Sequence, residues 1–475
     1  MPGILHVEYL DELLKKKNKH DTGNALDVLP FLTKRTRAIR DQFNKVMGEY
    51  IRNVSGVTFN EKAIKKKDLY VSETENELSE YIAETVDFND NEEAVADFVR
   101  FLDQYLFNQD EIKPIHPFLF NYMKLDKKLK NEFGKYALFM SETLVGENDK
   151  IKQVFKNKKT DDILTELILE KLSDFEKAVE PNSNQQYQPL LEPLRKLYQE
   201  DLFYISKYKD YFLTAFPLLT HYYVFMYSIQ LLFQFERFTD ADLEEVKPFY
   251  FALEWESLTK RRMAADPIEG YKFVKEHAPN LFPHIHTISQ LSHNSLNKPL
   301  GESNEGISFI PYSRLLKLVQ SNGLDFEKDF LIDVKNWIEK YQLWAFKGKI
   351  KIADNSSDLP SAFKVLFECV KEGTSSDVAD RYGGNIDDLG ANQFIKNRGS
   401  LGPVLNVKQD FLLLMTAVAV KDNRIPLNEL FKEFEKRGLK FDRYSKKEII
   451  TLLDNLNILD KKSDSGDSQY VKPVL

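Results

Sequence analysis

The chain has 475 residues, 42% of them hydrophobic and 29% charged, with a formal net charge of −8. That length suits two or three domains with sizeable cores, and the negative balance excludes a polycation that coats nucleic acid along its whole surface, so any DNA contact has to be local. The single cysteine, Cys369, excludes internal disulfides and any multi-cysteine zinc site; its place in the apolar run Val365 to Val370 predicts a buried thiol in a reducing cytoplasm.

From the N-terminus, Met1-Pro2-Gly3-Ile4-Leu5-His6 has no basic stretch followed by an apolar core, so no signal peptide is expected and the chain is read as cytoplasmic. Lys15-Lys16-Lys17 and Lys65-Lys66-Lys67 read as solvated helix ends. Helical spacing runs from Asn76 to Asp87, pauses at the acidic turn Asn89 to Glu93, resumes from Ala94 to Phe107, and returns as the stripe Ile163, Leu164, Leu167, Ile168 and Leu172. Glu180 to Gln188 reads as a loop.

Tyr211 to Phe235 carries no Asp, Glu, Lys or Arg over a length that could span a bilayer. Its Thr214, Pro217, Thr220, His221, Gln230 and Gln234, and its aromatic rather than aliphatic content, favour a buried helix pair broken near Pro217 over a membrane span. Phe249 to Glu256 reads as an apolar helix whose basic end, Thr259-Lys260-Arg261-Arg262, suits the helix dipole as well as it suits DNA. Asn294 to Gly306, rich in Asn, Ser and Gly, marks a boundary, and Asn355 to Ser361 is another loop. Strand signals are scarce before the last quarter, so the expected fold is mainly α. It comprises a multi-helix N-terminal and central region (1–295), an α-rich intermediate region with basic segments (307–405), and a distinct module over 408–475.

That module carries the most information. Asp410 to Lys421 is an apolar helix stopped by Asp422 and Asn423; Arg424-Ile425-Pro426 is a short extended piece. Leu427, Leu430, Phe431 and Phe434 recur at helical spacing until Gly438. Ser445-Lys446-Lys447-Glu448 has the form of a capping box, starting a third helix whose apolar side is Ile449, Ile450, Leu452, Leu453 and Leu456. Lys447, Thr451 and Asn455 then point outward, as in a recognition helix. Ile458 to Ser463, a turn Asp464-Ser465-Gly466-Asp467 and Gln469 to Val474 make a hairpin. Helix, strand, helix, helix and hairpin in this order is the layout of a winged helix.

Charge leaves two ligands open. Lys436, Arg437, Lys440, Arg443, Lys446 and Lys447 face a single acid, Asp442, which suits phosphate contact. Glu448, Asp454, Asp464 and Asp467 suit a protein instead. The DNA-contact candidates are Lys440, Arg443, Tyr444, Ser445, Lys446 and Lys447 at the start of the helix, Thr451 and Asn455 for base edges, and Lys461 and Lys462 on the hairpin.

Catalytic motifs are sparse. There is no G-x-x-x-x-G-K-[ST] loop and no G-x-G-x-x-G; Gly383-Gly384 reads as a turn. His277, His284, His286 and His293 crowd one stretch but have no placed acid, so they read as surface or helix-end residues rather than metal ligands. Asp333-Val334-Lys335 matches the acid-x-Lys fragment of some metal-dependent nucleases, yet sits in a helical pattern. The chain is therefore read as non-enzymatic, without cofactor or metal, an unrecognised metal-dependent nuclease being the alternative.

Three segments, Phe249 to Arg262 with its Leu253-Glu254-Trp255-Glu256 core, Asn397 to Thr416, and Lys440 to Leu475, resemble the DNA phosphorothioation-dependent restriction proteins of the DptG (DndG) family. The resemblance implies a prokaryotic antiviral defence system in which one enzyme set replaces a non-bridging phosphate oxygen of DNA with sulfur and a three-protein set attacks DNA lacking that mark. This chain would be the member without a catalytic domain, beside partners with ATPase and helicase-like or nuclease-like features. It would contribute double-stranded DNA contact, assembly of those partners, or both.

Overall fold

The structure, a computed structural model, describes residues 3–59, 77–84, 86–89, 91–108, 111–123, 125, 128–172, 176–178, 184–301, 304–461 and 469–475. Lys65-Lys66-Lys67, Lys462 and the turn Asp464-Ser465-Gly466-Asp467 lie outside the described residues. The chain is mainly helical. It divides into two compact units, one of Met1–Asp41, Ser183–Leu197 and Tyr222–Leu475, the other of Gln42–Asn182 and Tyr198–His221. Residues 294–306 and 405–408, the expected boundaries, both lie inside the first of these.

In the second unit the amphipathic stripes become helices Glu77–Glu84, Glu92–Leu106 and Ile163–Leu172. Their apolar sides, including Ile82, Leu102, Leu106, Ile168 and Leu169, close on Phe118, Leu119 and Tyr122. Glu92–Leu106 starts where the Asn91 side chain accepts the Ala94 N–H, supplying one of the bonds a helix start lacks. Two small antiparallel pairs, Val57–Phe59 with Glu176–Ala178 and Phe107–Asn108 with Glu111–Ile112, complete it.

The uncharged stretch is one helix, Lys209–Glu236, running through Pro217 rather than breaking there. A proline removes one helical N–H, but Phe212, Phe216 and Leu219 are fully buried around it, and the helix continues past it. From Tyr222 to Leu232 every residue is buried, which is why no charge is tolerated there. Its polar residues are used: Gln230 donates to the Lys247 carbonyl (2.6 Å) and accepts the Lys247 N–H (2.9 Å), and Gln234 does the same with Glu245 and Asp242. Among the described residues no helix is long and apolar enough to cross a membrane.

In the first unit, helices Leu281–Ser292, Leu324–Ala345, Leu359–Gly373 and Ser376–Gly390 gather with the later part of this long helix. Cys369 is buried, and burial pushes its thiol up to about 12. Gly383-Gly384, expected in a turn, lies inside helix Ser376–Gly390. The reason is close packing: a Cβ on Gly383 would stand 2.3 Å from the Ala278 carbonyl oxygen, and one on Gly384 would meet the Arg35 guanidinium. His284 and His286 are also not surface residues. Both are buried in helix Leu281–Ser292, His284 between the Glu236 carboxylate (3.0 Å) and the Tyr312 hydroxyl (3.2 Å), His286 against Phe282 and His20. Burial lowers both, His286 to about 3.

The strands of this unit are short, and two of their pairings join residues far apart in the chain. Ala252–Leu253 runs parallel to Asn406–Val407, and the strand Pro403–Val407 is antiparallel to Ile395–Asn397. Phe249–Tyr250 runs parallel to Leu439–Lys440. Phe249 to Glu256 is therefore not the expected helix: a short continuous apolar run serves a buried strand equally well, and here partners far along the chain decide. After helix Gln409–Val420 come Ile425–Pro426, helix Leu427–Lys436, helix Arg443–Asn455 and two more strands, Leu459–Lys461 and Gln469–Val471. Gln469–Val471 is the middle strand of an antiparallel sheet, opposite Ile425–Pro426 on one side and Leu459–Lys461 on the other.

An alanine inside a helix normally gains up to about 1 kcal/mol over glycine, but at Gly383 the added methyl meets backbone. Gly383→Ala is expected to destabilise by about 1–3 kcal/mol, the usual cost of overpacking, read as a lower denaturation midpoint. An unchanged or raised midpoint would contradict this contact.

Candidate nucleic-acid interface

Residues 256–257 and 442–445 meet at one side chain, Arg262, which is 7% exposed. Its Nη2 donates to Glu256 Oε2, Asp442 Oδ1 and Ser445 Oγ, each at 2.8 Å; Nη1 donates to the Ser257 carbonyl at 3.2 Å, and Nε to Asp442 Oδ2. Glu256 Oε1 accepts the Ser445 hydroxyl and the Leu253 N–H, both at 2.8 Å. Arg398 closes the other side, donating to the carbonyls of Leu253 (2.7 Å) and Glu256 (3.2 Å) and to Asn406 Oδ1 (3.0 Å).

Asp442 belongs to two structures at once. It is the cap of helix Arg443–Asn455, accepting the N–H groups of Tyr444 (2.9 Å) and Ser445 (3.0 Å). Burial alone would raise its carboxyl, but the bonds from Arg262, Ser445 and Tyr444 outweigh burial and hold it below the usual aspartate range. The helix consequently starts at Arg443, and Ser445 to Glu448 is not a capping box. Ser445, expected at the DNA surface, is fully buried and committed to Glu256 and Arg262. Two members of the basic cluster are also committed. Arg437 is buried and bonded to Glu433 and the Val418 carbonyl, and Lys436 pairs with the same Glu433.

The other candidates face solvent or its edge. Arg443, Tyr444, Lys447, Thr451 and Asn455 are exposed; Lys440 and Lys446 are half-buried. Two guanidinium groups approach the Tyr444 ring, Arg262 at 4.9 Å and Arg443 at 4.6 Å, and its hydroxyl accepts from Arg443 at 2.6 Å. Lys440 lies over Tyr250 and Lys446 over Phe431. Thr451 bonds the Lys447 carbonyl at 3.1 Å. Lys461 is the last residue of its strand. Among the described residues no carboxylate pairs with Lys440, Arg443, Lys446 or Lys447. Glu448 and Asp454 are exposed on the same helix, so its face is mixed in sign, as the sequence indicates.

The chemistry available here is electrostatic and stacking: a half-exposed aromatic ring with the exposed Arg443 against it, and Lys447 exposed on the same helix. Elsewhere, Asp333 is engaged by the N–H groups of Ile4 (2.6 Å) and Leu5 (3.1 Å) and lies in helix Leu324–Ala345. The described residues hold no group of three or more His, Cys, Asp or Glu set to bind a metal. Sequence reasoning missed Glu256 and Arg262 as the anchor of the third helix; two acids near a double arginine were the only signal.

Removing Arg262 leaves two carboxylates without their cation. Arg262→Met is expected to cost about 3–5 kcal/mol, the usual penalty for breaking a buried pair, checked by chemical denaturation. Because the folded Asp442 value is depressed, its contribution is fully present above the ordinary aspartate value of about 4 and fades as pH falls through the folded value. Asp442→Asn should therefore lower stability at neutral pH and lose that deficit in acid. No protein-family model matches this chain, and no curated protein matches it in sequence.

Proposed function

We propose that residues 409–475 form a winged helix whose third helix, Arg443–Asn455, contacts duplex DNA, and that the chain acts without chemistry of its own in a prokaryotic restriction complex. In this reading the complex attacks DNA that lacks phosphorothioate, and the chain brings that DNA to ATPase and helicase-like or nuclease-like partners. The observation that carries the DNA contact is the face of the third helix: Arg443 and Lys447 are exposed and, among the described residues, without an acidic partner, beside Tyr444, Thr451 and Asn455. The strand order, with Gln469–Val471 between Ile425–Pro426 and Leu459–Lys461, supports the module assignment. The restriction role rests on the resemblance of three segments, which meet in the fold.

Exposed Glu448 and Asp454 favour a second reading, in which the same helix docks a partner protein. The two differ in salt response. For the DNA reading, Arg443→Ala with Lys447→Ala should weaken binding of full-length protein to a plain duplex and flatten the salt dependence by about one unit of slope per lost contact. Fluorescence anisotropy across a salt series, with plain and phosphorothioated duplexes, measures both. An unchanged slope together with lost co-purification of the ATPase partner would favour docking. Substitution is preferred to truncation here, because removing 408–475 strips the strand paired with Phe249–Tyr250.

A further inference from the structure

The loop that supplies Arg262 also carries Lys260 and Arg261, both exposed and, like the cations of the third helix, without an acidic partner among the described residues. The loop is held in shape: the Arg262 N–H donates to the Thr259 carbonyl at 3.1 Å, and the Arg262 guanidinium holds the Ser257 carbonyl and the Glu256 carboxylate. That same guanidinium lies over the Tyr444 ring, with Arg443 also against that ring. The loop thus carries Lys260 and Arg261 immediately before a residue held against the aromatic ring at the start of the third helix, where Arg443 is a further cation without an acidic partner among the described residues. The backbone N–H groups at that start are already taken by Asp442, so the positive charge available comes from side chains.

Resting on the DNA reading above, we propose that Lys260 and Arg261 form a second phosphate contact, on the DNA backbone bordering the groove that the third helix occupies. A helix about 10–12 Å across fills a major groove about 12 Å wide, so cations beside the helix start, outside its cylinder, meet the bordering phosphates rather than base edges. The contact is therefore independent of sequence and adds to affinity and orientation. The rigid anchoring of the loop keeps the ordering cost of binding low.

The test uses full-length protein and a plain duplex by fluorescence anisotropy from low to moderate salt. Lys260→Ala with Arg261→Ala should retain the thermal midpoint, since both residues are exposed, and should flatten log K against log salt by about 1.8, two contacts at about 0.9 each. Lys260→Arg with Arg261→Lys, which keeps both charges, should retain the wild-type slope; a flattened slope there would overturn the inference by assigning the effect to loop packing. A wild-type slope for the alanine pair, with a reduced one for Arg443→Ala/Lys447→Ala, overturns the loop contact and leaves the DNA reading standing. Absence of duplex binding by the wild-type chain overturns both. Unchanged DNA binding with lost ATPase-partner co-purification assigns the loop to a protein surface and overturns the inference.

Discussion

The buried guanidinium of Arg262 is the constraint on which the C-terminal part of the larger unit depends. Taking an arginine out of water costs several kcal/mol unless its N–H groups and charge are fully met. Two carboxylates, a hydroxyl and a carbonyl meet them here, drawn from a loop at 256–257 and a helix start at 442–445. Such a network contributes little net stability relative to an apolar replacement, but it is satisfied in only one relative placement of its parts. It therefore sets where the third helix begins and which way its first turn faces. The parallel pairings of Phe249–Tyr250 and Ala252–Leu253, just before the loop, tie its start to the same frame.

This constraint sorts the basic residues. Arg262, Arg398 and Arg437 are spent on carbonyls and carboxylates inside the fold. Lys260, Arg261, Arg443 and Lys447 are exposed and have no carboxylate partner among the described residues. A chain with net charge −8 repels a polyanion at long range, so a contact with DNA has to come from such a local concentration of uncompensated cations. Glu448 and Asp454 limit that field along the rest of the helix, which concentrates it at the helix start.

Helix Leu427–Lys436 was legible because local rules agree there: helical periodicity from Leu427 to Phe434 and a left-handed Gly438 at φ +89 after it. The start of the third helix was not, because two local signals compete. Ser445 with Glu448 fits a capping box and Asp442 fits a cap three residues earlier; the distant Arg262 resolves the choice by holding the Asp442 carboxylate in place. Phe249 to Leu253 was misread for a related reason, since its strand partners lie far along the chain and periodicity cannot separate a short buried strand from a helix. Pro217 and Gly383-Gly384 broke no helix because tertiary packing overrode local preference. The exposure of Lys447, Thr451 and Asn455 was readable from spacing, whereas burial of Ser445 and Arg437 depends on contacts that spacing does not encode.

Amide hydrogen exchange of the full-length chain with and without a plain duplex tests the central claim most directly, because it reports every contacted segment without altering the protein. The account predicts slower exchange over the first turns of helix Arg443–Asn455 and over 258–262, with little change on the long helix Lys209–Glu236. Tight duplex binding that leaves both segments unprotected would contradict it.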